Sequence, residues 1–178
     1  MSGSFVLFAS YNAEMNRRVH QAALQLSHAD LSRDRGAFFG SILGTLNHLV
    51  TADTIWLHRI AGHPARFASL KAIQELDRPS SLDQVVVTDL DQWHARRVML
   101  DQIITNMVHE INQADLDSIL FYSRIDGSPA NKHLRDVLTQ FFNHQTHHRG
   151  QVSTLLFQAG VDIGVTDILA MVPNVMEN

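Results

Sequence analysis

Three histidines lie within five residues of one segment, FFNHQTHHRGQ (141–151). His144 and His148 are four residues apart, so on a helix they share a face, with Cβ atoms about 5–6 Å apart. Two imidazoles at this spacing can bind one metal ion, as they do on the helix of zinc proteases. They could equally be two core histidines, each with its own hydrogen-bond partner, since an unpaired imidazole is costly to bury. The spacing alone leaves both interpretations open.

The third histidine of this segment, His147, is expected to face solvent. Helical spacing places His144 and His148 on a stripe that is otherwise apolar, made of Val137, Phe141, Val152 and Leu155. His147 falls on a second stripe that is polar throughout, together with Asp136, Gln140, Asn143, Gln151 and Thr154. We therefore expect only His144 and His148 to point into the protein.

A third ligand would have to come from elsewhere in the chain, and His48 in GTLNHLVTADTIW is the best candidate. Its helical neighbours Gly44, Thr51 and Ala52 are small, which leaves room beside the imidazole for an ion, a water and part of a substrate. The alternative is a close helix–helix crossing through Gly44 and Ala52, with His48 merely hydrogen-bonded. Spacing does not decide between the two.

The remaining histidines are not expected to bind this ion. Some lie on a polar helix face or in a loop. The rest have no second histidine three or four residues away, or lie too far along the chain or helix from His48, His144 and His148. They are His20, His28, His58, His63, His94, His109 and His133.

Four segments with helical periodicity must position these side chains, and they run roughly over 5–26, 37–61, 88–113 and 130–159. Each has one apolar stripe, which predicts an all-α fold, a four-helix bundle. The chain of 178 residues is long enough for a sizeable core and predicts a single domain over 1–178.

The connections between these segments carry weaker signals. Residues 62–87 form a long crossover between the second and third helices, with a helical turn or two at SLKAIQEL. Residues 117–130 alternate weakly and contain an Asp-Gly turn signal, which predicts a short extended segment before the last helix. Thr88 and Asp91 resemble a capping box for the third helix, and Ser128-Pro129 a start signal for the fourth.

Composition excludes several classes of function. The chain has no cysteine, so disulfides, thiolate metal sites and cysteine nucleophiles are excluded, and a metal must be held by nitrogen or oxygen. The formal charge is −4 without a Lys/Arg-rich block, which argues against nucleic acid as a partner. No apolar run approaches ~18 residues and no signal peptide is evident, so we expect no membrane span and a cytoplasmic location.

Three blocks of the sequence resemble the DinB family of small bacterial proteins. They are YNAEMNRRV (11–19), NHLVTADTIWLHRI (47–60) and FFNHQTHHRGQV (141–152). The resemblance covers nearly the whole chain and implies a metal site of three histidines, one from the second helix and two from the last. These positions are His48, His144 and His148 here.

The resemblance also implies a divalent metal ion, with zinc or nickel the usual choice and iron or manganese as alternatives, and a homodimer. It further implies kinship with bacterial enzymes that transfer small thiols.

Two hypotheses of different kinds follow. The first is a metal-dependent enzyme that acts on a small molecule, either a transferase with a low-molecular-weight thiol as cosubstrate or a hydrolase. Three histidine ligands leave one coordination position of the metal open. Because the chain has no cysteine, a thiol nucleophile would have to come from a small molecule. The second is a non-catalytic metal-binding scaffold linked to stress.

No residue is assigned as a catalytic base. Asp53 either orients a ligand or, as we rather expect, forms a surface or interhelical ion pair. Arg149 either meets an anionic substrate or, the preferred interpretation, pairs with a carboxylate such as Asp53. Asn12 and Asn16 either reach into the bundle or lie on its surface. An all-histidine site should lose its metal as the pH falls through about 6 to 5.

Overall fold

Helices make up most of residues 2–176, the part of the chain that this computed structural model describes. In chain order the elements are α1 (Ser2–Ala23), α2 (His28–Ser32), α3 (Ile42–Ala61), a 3-10 helix (Ala68–Glu75), α4 (Leu90–Glu110), α5 (Gln113–Asp117), β1 (Ile119–Ser123), β2 (Pro129–His133), α6 (Leu134–Gln158) and a second 3-10 helix (Ile168–Met171). The prediction of an all-α protein is confirmed, with one small two-stranded sheet added.

The four long helices match the four predicted segments, and α1 and α3 each contact both α4 and α6. Their facing stripes form one apolar core, whose largest fully buried side chains include Trp93, Phe141 and Leu46. This contact pattern places α3 and α6, which carry the candidate ligands, side by side. Among residues 2–176 no helix has the length and apolar character needed to cross a membrane.

The extended segment expected before the last helix is a β-hairpin. β1 pairs with β2 in antiparallel register, with Ile119 opposite His133 and Ser123 opposite Pro129. Gly127 has a φ of +81° at the turn, where Arg124 N donates to Ser128 O over 2.9 Å. The prediction that Ser128-Pro129 starts the last helix is therefore wrong. Pro129 is the first residue of a strand, a position where its missing N–H is tolerated.

The crossover between α3 and α4 is held against α3 by side chains of that helix. Asn47 donates to Gln84 O over 3.0 Å and accepts from Val86 N over 2.8 Å, and Thr51 Oγ1 also donates to Gln84 O. The start of α4 is capped by Asp89, whose carboxylate accepts from Gln92 N over 2.8 Å. The predicted cap at Thr88 is wrong by one residue.

A buried ion pair links α3 to α4. Arg97 of α4 donates to the Asp53 carboxylate of α3 and lies 3.0 Å from Asp101 one turn along its own helix. Arg97 is 3% exposed and Asp53 is 1% exposed, so neither charge is screened by water. The predicted partner of Asp53 was Arg149, and that prediction is wrong because Arg97 occupies the carboxylate.

The other two long helices join this pair through amides. Asn12 and Asn16 of α1 donate to Asp101 over 2.9 Å and 3.0 Å, and Arg149 of α6 donates to the Asn12 side-chain oxygen. Burial lowers the pKa of Arg149 to about 10, which leaves it charged at neutral pH. The buried charge network, defined here as Asn12, Asn16, Asp53, Arg97, Asp101, Gln145 and Arg149, thus contains two arginines and two aspartates and spans all four long helices.

Removing the central cation of this network should be costly. The substitution Arg97→Met leaves Asp53 and Asp101 buried without their compensating charge, and we expect it to lower the free energy of unfolding by ~3–5 kcal/mol. The matched control is Arg17→Gln, since Arg17 pairs with Glu14 on the exposed surface of α1, where ion pairs contribute little. Urea unfolding followed by circular dichroism measures both variants. Equal effects of the two substitutions would contradict the assignment of Arg97 as the central cation.

Candidate metal centre

Three histidines converge between α3 and α6. His48 comes from α3, and His144 and His148 come from successive turns of α6. One ring nitrogen of each lies within 4.8 Å of the others, and His48 Nε2 is 3.2 Å from His144 Nε2. The structure thus brings together the three residues that the sequence singled out.

Hydrogen bonds from the far side of two rings decide which nitrogen faces the cluster. His48 Nδ1 lies 3.1 Å from the carbonyl oxygen of Leu82, and His148 Nδ1 lies 2.8 Å from the side-chain oxygen of Gln151. Both partners are oxygens that can only accept a hydrogen bond, so Nδ1 carries the proton and is the donor in each bond. Nε2 is then left with a free lone pair, the tautomer that a metal-binding histidine needs.

The spacing of His48 Nε2 and His144 Nε2 fits a divalent cation. Nitrogen ligands at 2.0–2.1 Å in a tetrahedral arrangement are about 3.3 Å from one another. The 3.2 Å between His48 Nε2 and His144 Nε2 agrees with this separation. Without a cation, one of these two nitrogens must carry a proton, because two lone pairs that face each other at this distance repel. The donor set is purely imidazole, which zinc, nickel and iron all accept.

Burial favours the neutral imidazoles that metal binding requires. His48 is 4% exposed and His148 is 9% exposed, and His144 is partly buried. Desolvation lowers the pKa of His48 and of His148, and it lowers the pKa of His144 to about 4. The negative charge of Asp53 acts in the opposite direction on all three but is the weaker influence. The three rings are therefore uncharged at neutral pH.

Phe39 covers one side of the cluster. Its ring stacks on His48 with centroids 3.9 Å apart and presents an edge to His148 at 5.5 Å. The backbone of Phe39 reaches this position because Gly44 has no side chain, and a Cβ there would clash with the Phe39 carbonyl oxygen. The small residue beside His48 was expected to leave room for an ion and a substrate. At Gly44 that room is taken by the Phe39 backbone.

The other histidines contribute no nitrogen to the cluster, although the His147 ring lies with its centroid 4.8 Å from that of His148. His147 is exposed and its Nε2 contacts the Gln151 amide at 3.3 Å. Several have their own partners: His58 with Leu76 O, His63 with Ser118 Oγ, and His133 with Asp117 O. His20 stacks on His94 with ring centroids 3.7 Å apart.

Some residues that serve the site were missed by the sequence reasoning. Gln151 follows His148 by three residues, so helical spacing could have identified it as a hydrogen-bond partner. Leu82 acts through its backbone carbonyl and Phe39 through a loop, and neither leaves a signal in the sequence. Gln145, fully buried, donates to Asp53 over 2.8 Å and ties the site to the buried charge network.

Comparison with known proteins agrees with the resemblance. The family model described as the DinB family matches residues 1–173, nearly the whole chain. A search of curated proteins and a search of solved structures each gave no match.

Single substitutions should separate ligands from bystanders. We expect His144→Ala to abolish metal binding, because its Nε2 faces the cluster, and His147→Ala to leave occupancy nearly unchanged, because its ring points to solvent. Elemental analysis of purified protein gives metal per chain, and circular dichroism checks that both variants fold. Equal losses in the two variants would show that the wrong face of α6 has been identified.

The lowered pKa values shift the expected pH dependence of metal binding. An imidazole whose pKa in the folded protein lies below the ordinary value of about 6.5 stays neutral to lower pH. Protons therefore compete with the metal for the ring nitrogen only at a lower pH. We therefore expect occupancy to be complete at pH 6 and to be lost only below about pH 5, as His144 approaches its pKa of about 4. Equilibrium dialysis with circular dichroism measures this. Complete loss by pH 6, or full retention in folded protein at about pH 3, would contradict the site as described.

Proposed function

The chain belongs to the DinB family, and we propose that it is a metal-dependent enzyme that acts on a small molecule through His48, His144 and His148. The observation that carries the proposal is the convergence of three neutral imidazoles, two of them held in the ligating tautomer by Leu82 and Gln151. We further propose that residues 1–178 form one domain, that its long helices are arranged as a four-helix bundle, and that it forms a homodimer.

The ligand set favours a catalytic over a structural metal. Structural zinc sites have four protein ligands, whereas catalytic sites have three and keep a position open. Among residues 2–176, the acidic groups and histidines that can jointly hold an ion at this place are the three histidines alone. A divalent cation here, with zinc or nickel preferred, would lower the pKa of a water or a thiol in the open position toward neutrality.

A thiol is the more attractive cosubstrate because the chain supplies no sulfur nucleophile. It has no cysteine, so a sulfur that attacks an electrophile would come from a low-molecular-weight thiol. The role of the protein is then to hold the three ligands rigidly and to exclude water around them. The buried rings and the Phe39 side chain stacked on His48 serve that role.

A cleft that adjoins His148 through Gln151 offers a place for the small molecule, and none of the three proposed ligands lines its wall. It has a volume of about 450 Å³ and lies along α6, where Gln151 both lines it and accepts the hydrogen bond of His148. Arg35 and His147 contribute polar groups to its wall, and Phe38, which is 88% exposed, contributes an apolar one. The Arg35 guanidinium gives this wall a positive charge, which would attract an anionic group of the substrate.

The alternative is a metal-binding scaffold without catalysis. The observation in its favour is Phe39, whose ring lies against two of the three imidazoles and limits access from that side. A scaffold and an enzyme both bind metal. They differ in whether a small ligand reaches the open coordination position.

Turnover with a panel of thiols tests the proposal. Fully metallated protein is mixed with monobromobimane and each thiol in turn, and conjugate formation is followed by fluorescence against the uncatalysed rate. We expect acceleration with at least one thiol, abolished in His144→Ala and retained in His147→Ala. Ester and amide substrates test the hydrolase version in parallel. Metallated protein that accelerates none of these reactions would favour the scaffold.

A further inference from the structure

A second cleft lies between α3 and the β-hairpin, and its walls contain none of the three histidines. Its volume is about 490 Å³, within the range of small-molecule sites, roughly 300–1,000 Å³. Two arginines and two aromatic residues define its chemistry, namely Arg59 and Arg124 with Trp56 and Tyr122.

Arg59 is held in a fixed orientation by the aromatic residues. Its guanidinium carbon lies 4.6 Å from the centre of the Trp56 ring and 5.1 Å from that of Tyr122, and its Nε donates to Ser123 O over 3.2 Å. These contacts fix the group by cation–π attraction and one hydrogen bond. Its two terminal nitrogens have no hydrogen-bond partner among residues 2–176, so a preorganised pair of donors remains for a ligand.

The cleft carries an excess of positive charge. Arg124 lines the cleft, and Arg78 lies close to Arg59. Burial lowers the pKa of Arg59, and the positive charges of Arg78 and Arg124 lower it further. Within the described residues, none of these three guanidinium groups forms a salt bridge. The one acid in the wall, Asp126, accepts two hydrogen bonds from Ser128, at 2.9 Å and 2.7 Å. The cleft wall thus contains two cations and one carboxylate, with the third cation, Arg78, close to Arg59.

The remaining wall of the cleft is apolar. Leu82 is 47% exposed and Ile125 is 41% exposed, and both side chains line the same space as Tyr122. A simple phosphate would leave these surfaces in water. A planar apolar body that carries an anionic group would cover them while it pairs with arginine.

We propose that the cleft between α3 and the hairpin binds a small aromatic carboxylate, with its carboxylate on Arg59 and Arg124 and its ring against Leu82, Tyr122 and Ile125. A guanidinium matches a carboxylate with two parallel hydrogen bonds, which sets the orientation of the ligand. The site is independent of the metal. It is nevertheless adjacent to the metal centre, because the carbonyl of Leu82 accepts the hydrogen bond of His48 Nδ1.

The two tryptophans of the chain allow a direct test. Trp56 lines the cleft, whereas Trp93 is fully buried and its indole N–H donates to Leu46 O over 3.1 Å. In a ¹⁵N-labelled sample we titrate 1-naphthoate, its neutral analogue 1-naphthamide and inorganic phosphate separately. We expect 1-naphthoate to shift the Trp56 indole resonance saturably and to leave that of Trp93 in place. The amide and phosphate should each bind at least about tenfold more weakly, since one lacks the charge and the other the ring.

Variants locate the site and separate it from the metal centre. Arg124→Gln, at an exposed position, should weaken naphthoate binding about tenfold, because it removes a charged hydrogen-bond donor. Arg17→Gln, on the exposed surface of α1, is the matched control and should change nothing. His144→Ala and metal-free protein should bind naphthoate as the wild type does. The proposal is overturned if Trp56 does not respond, if the amide or phosphate binds as well as naphthoate, or if Arg124→Gln binds normally.

Discussion

The hydrogen bond from Gln145 to Asp53 joins the two halves of the candidate metal centre. Gln145 follows His144 on α6, and Asp53 lies five residues after His48 on α3, so this contact links the two helices next to the histidines. Asp53 is held in turn by Arg97, because a carboxylate that is 1% exposed needs a cation to offset the loss of hydration. The helix arrangement that compensates the buried charges is the same one that aligns the histidines.

The site therefore depends on interactions outside the three histidines. His48 is oriented by a carbonyl of the crossover, and that crossover is fixed to α3 by Asn47 and Thr51. His148 is oriented by Gln151 from its own helix. These two rings are thus each held by their backbone position and by one hydrogen bond from Nδ1, an arrangement typical of metal ligands. The hairpin cleft shares Leu82 with this assembly, so a ligand bound there would lie close to the orienting contact of His48.

Local features of the sequence predicted more than distant ones. The i, i+4 spacing of His144 and His148 and the polar stripe of His147 follow from helix geometry alone, and the structure has both as expected. The partners of Asp53 and Arg149 depend on how four helices pack, and the sequence suggested the wrong pair. Loop contributions were also invisible, since Leu82 acts through a carbonyl and Phe39 approaches only because Gly44 lacks a side chain. The predicted cap of α4 was one residue away from Asp89, and Pro129 begins a strand instead of the last helix. In both places several neighbouring residues could cap a helix or begin a strand.

We propose that three imidazoles hold one cation between α3 and α6. The most direct measurement is anomalous diffraction at the zinc absorption edge from crystals of the zinc-loaded protein. We expect a single strong peak about 2.0–2.1 Å from Nε2 of His48, His144 and His148. A zinc peak elsewhere, or side chains at these positions whose nitrogens are too far apart to share one ion, would contradict it.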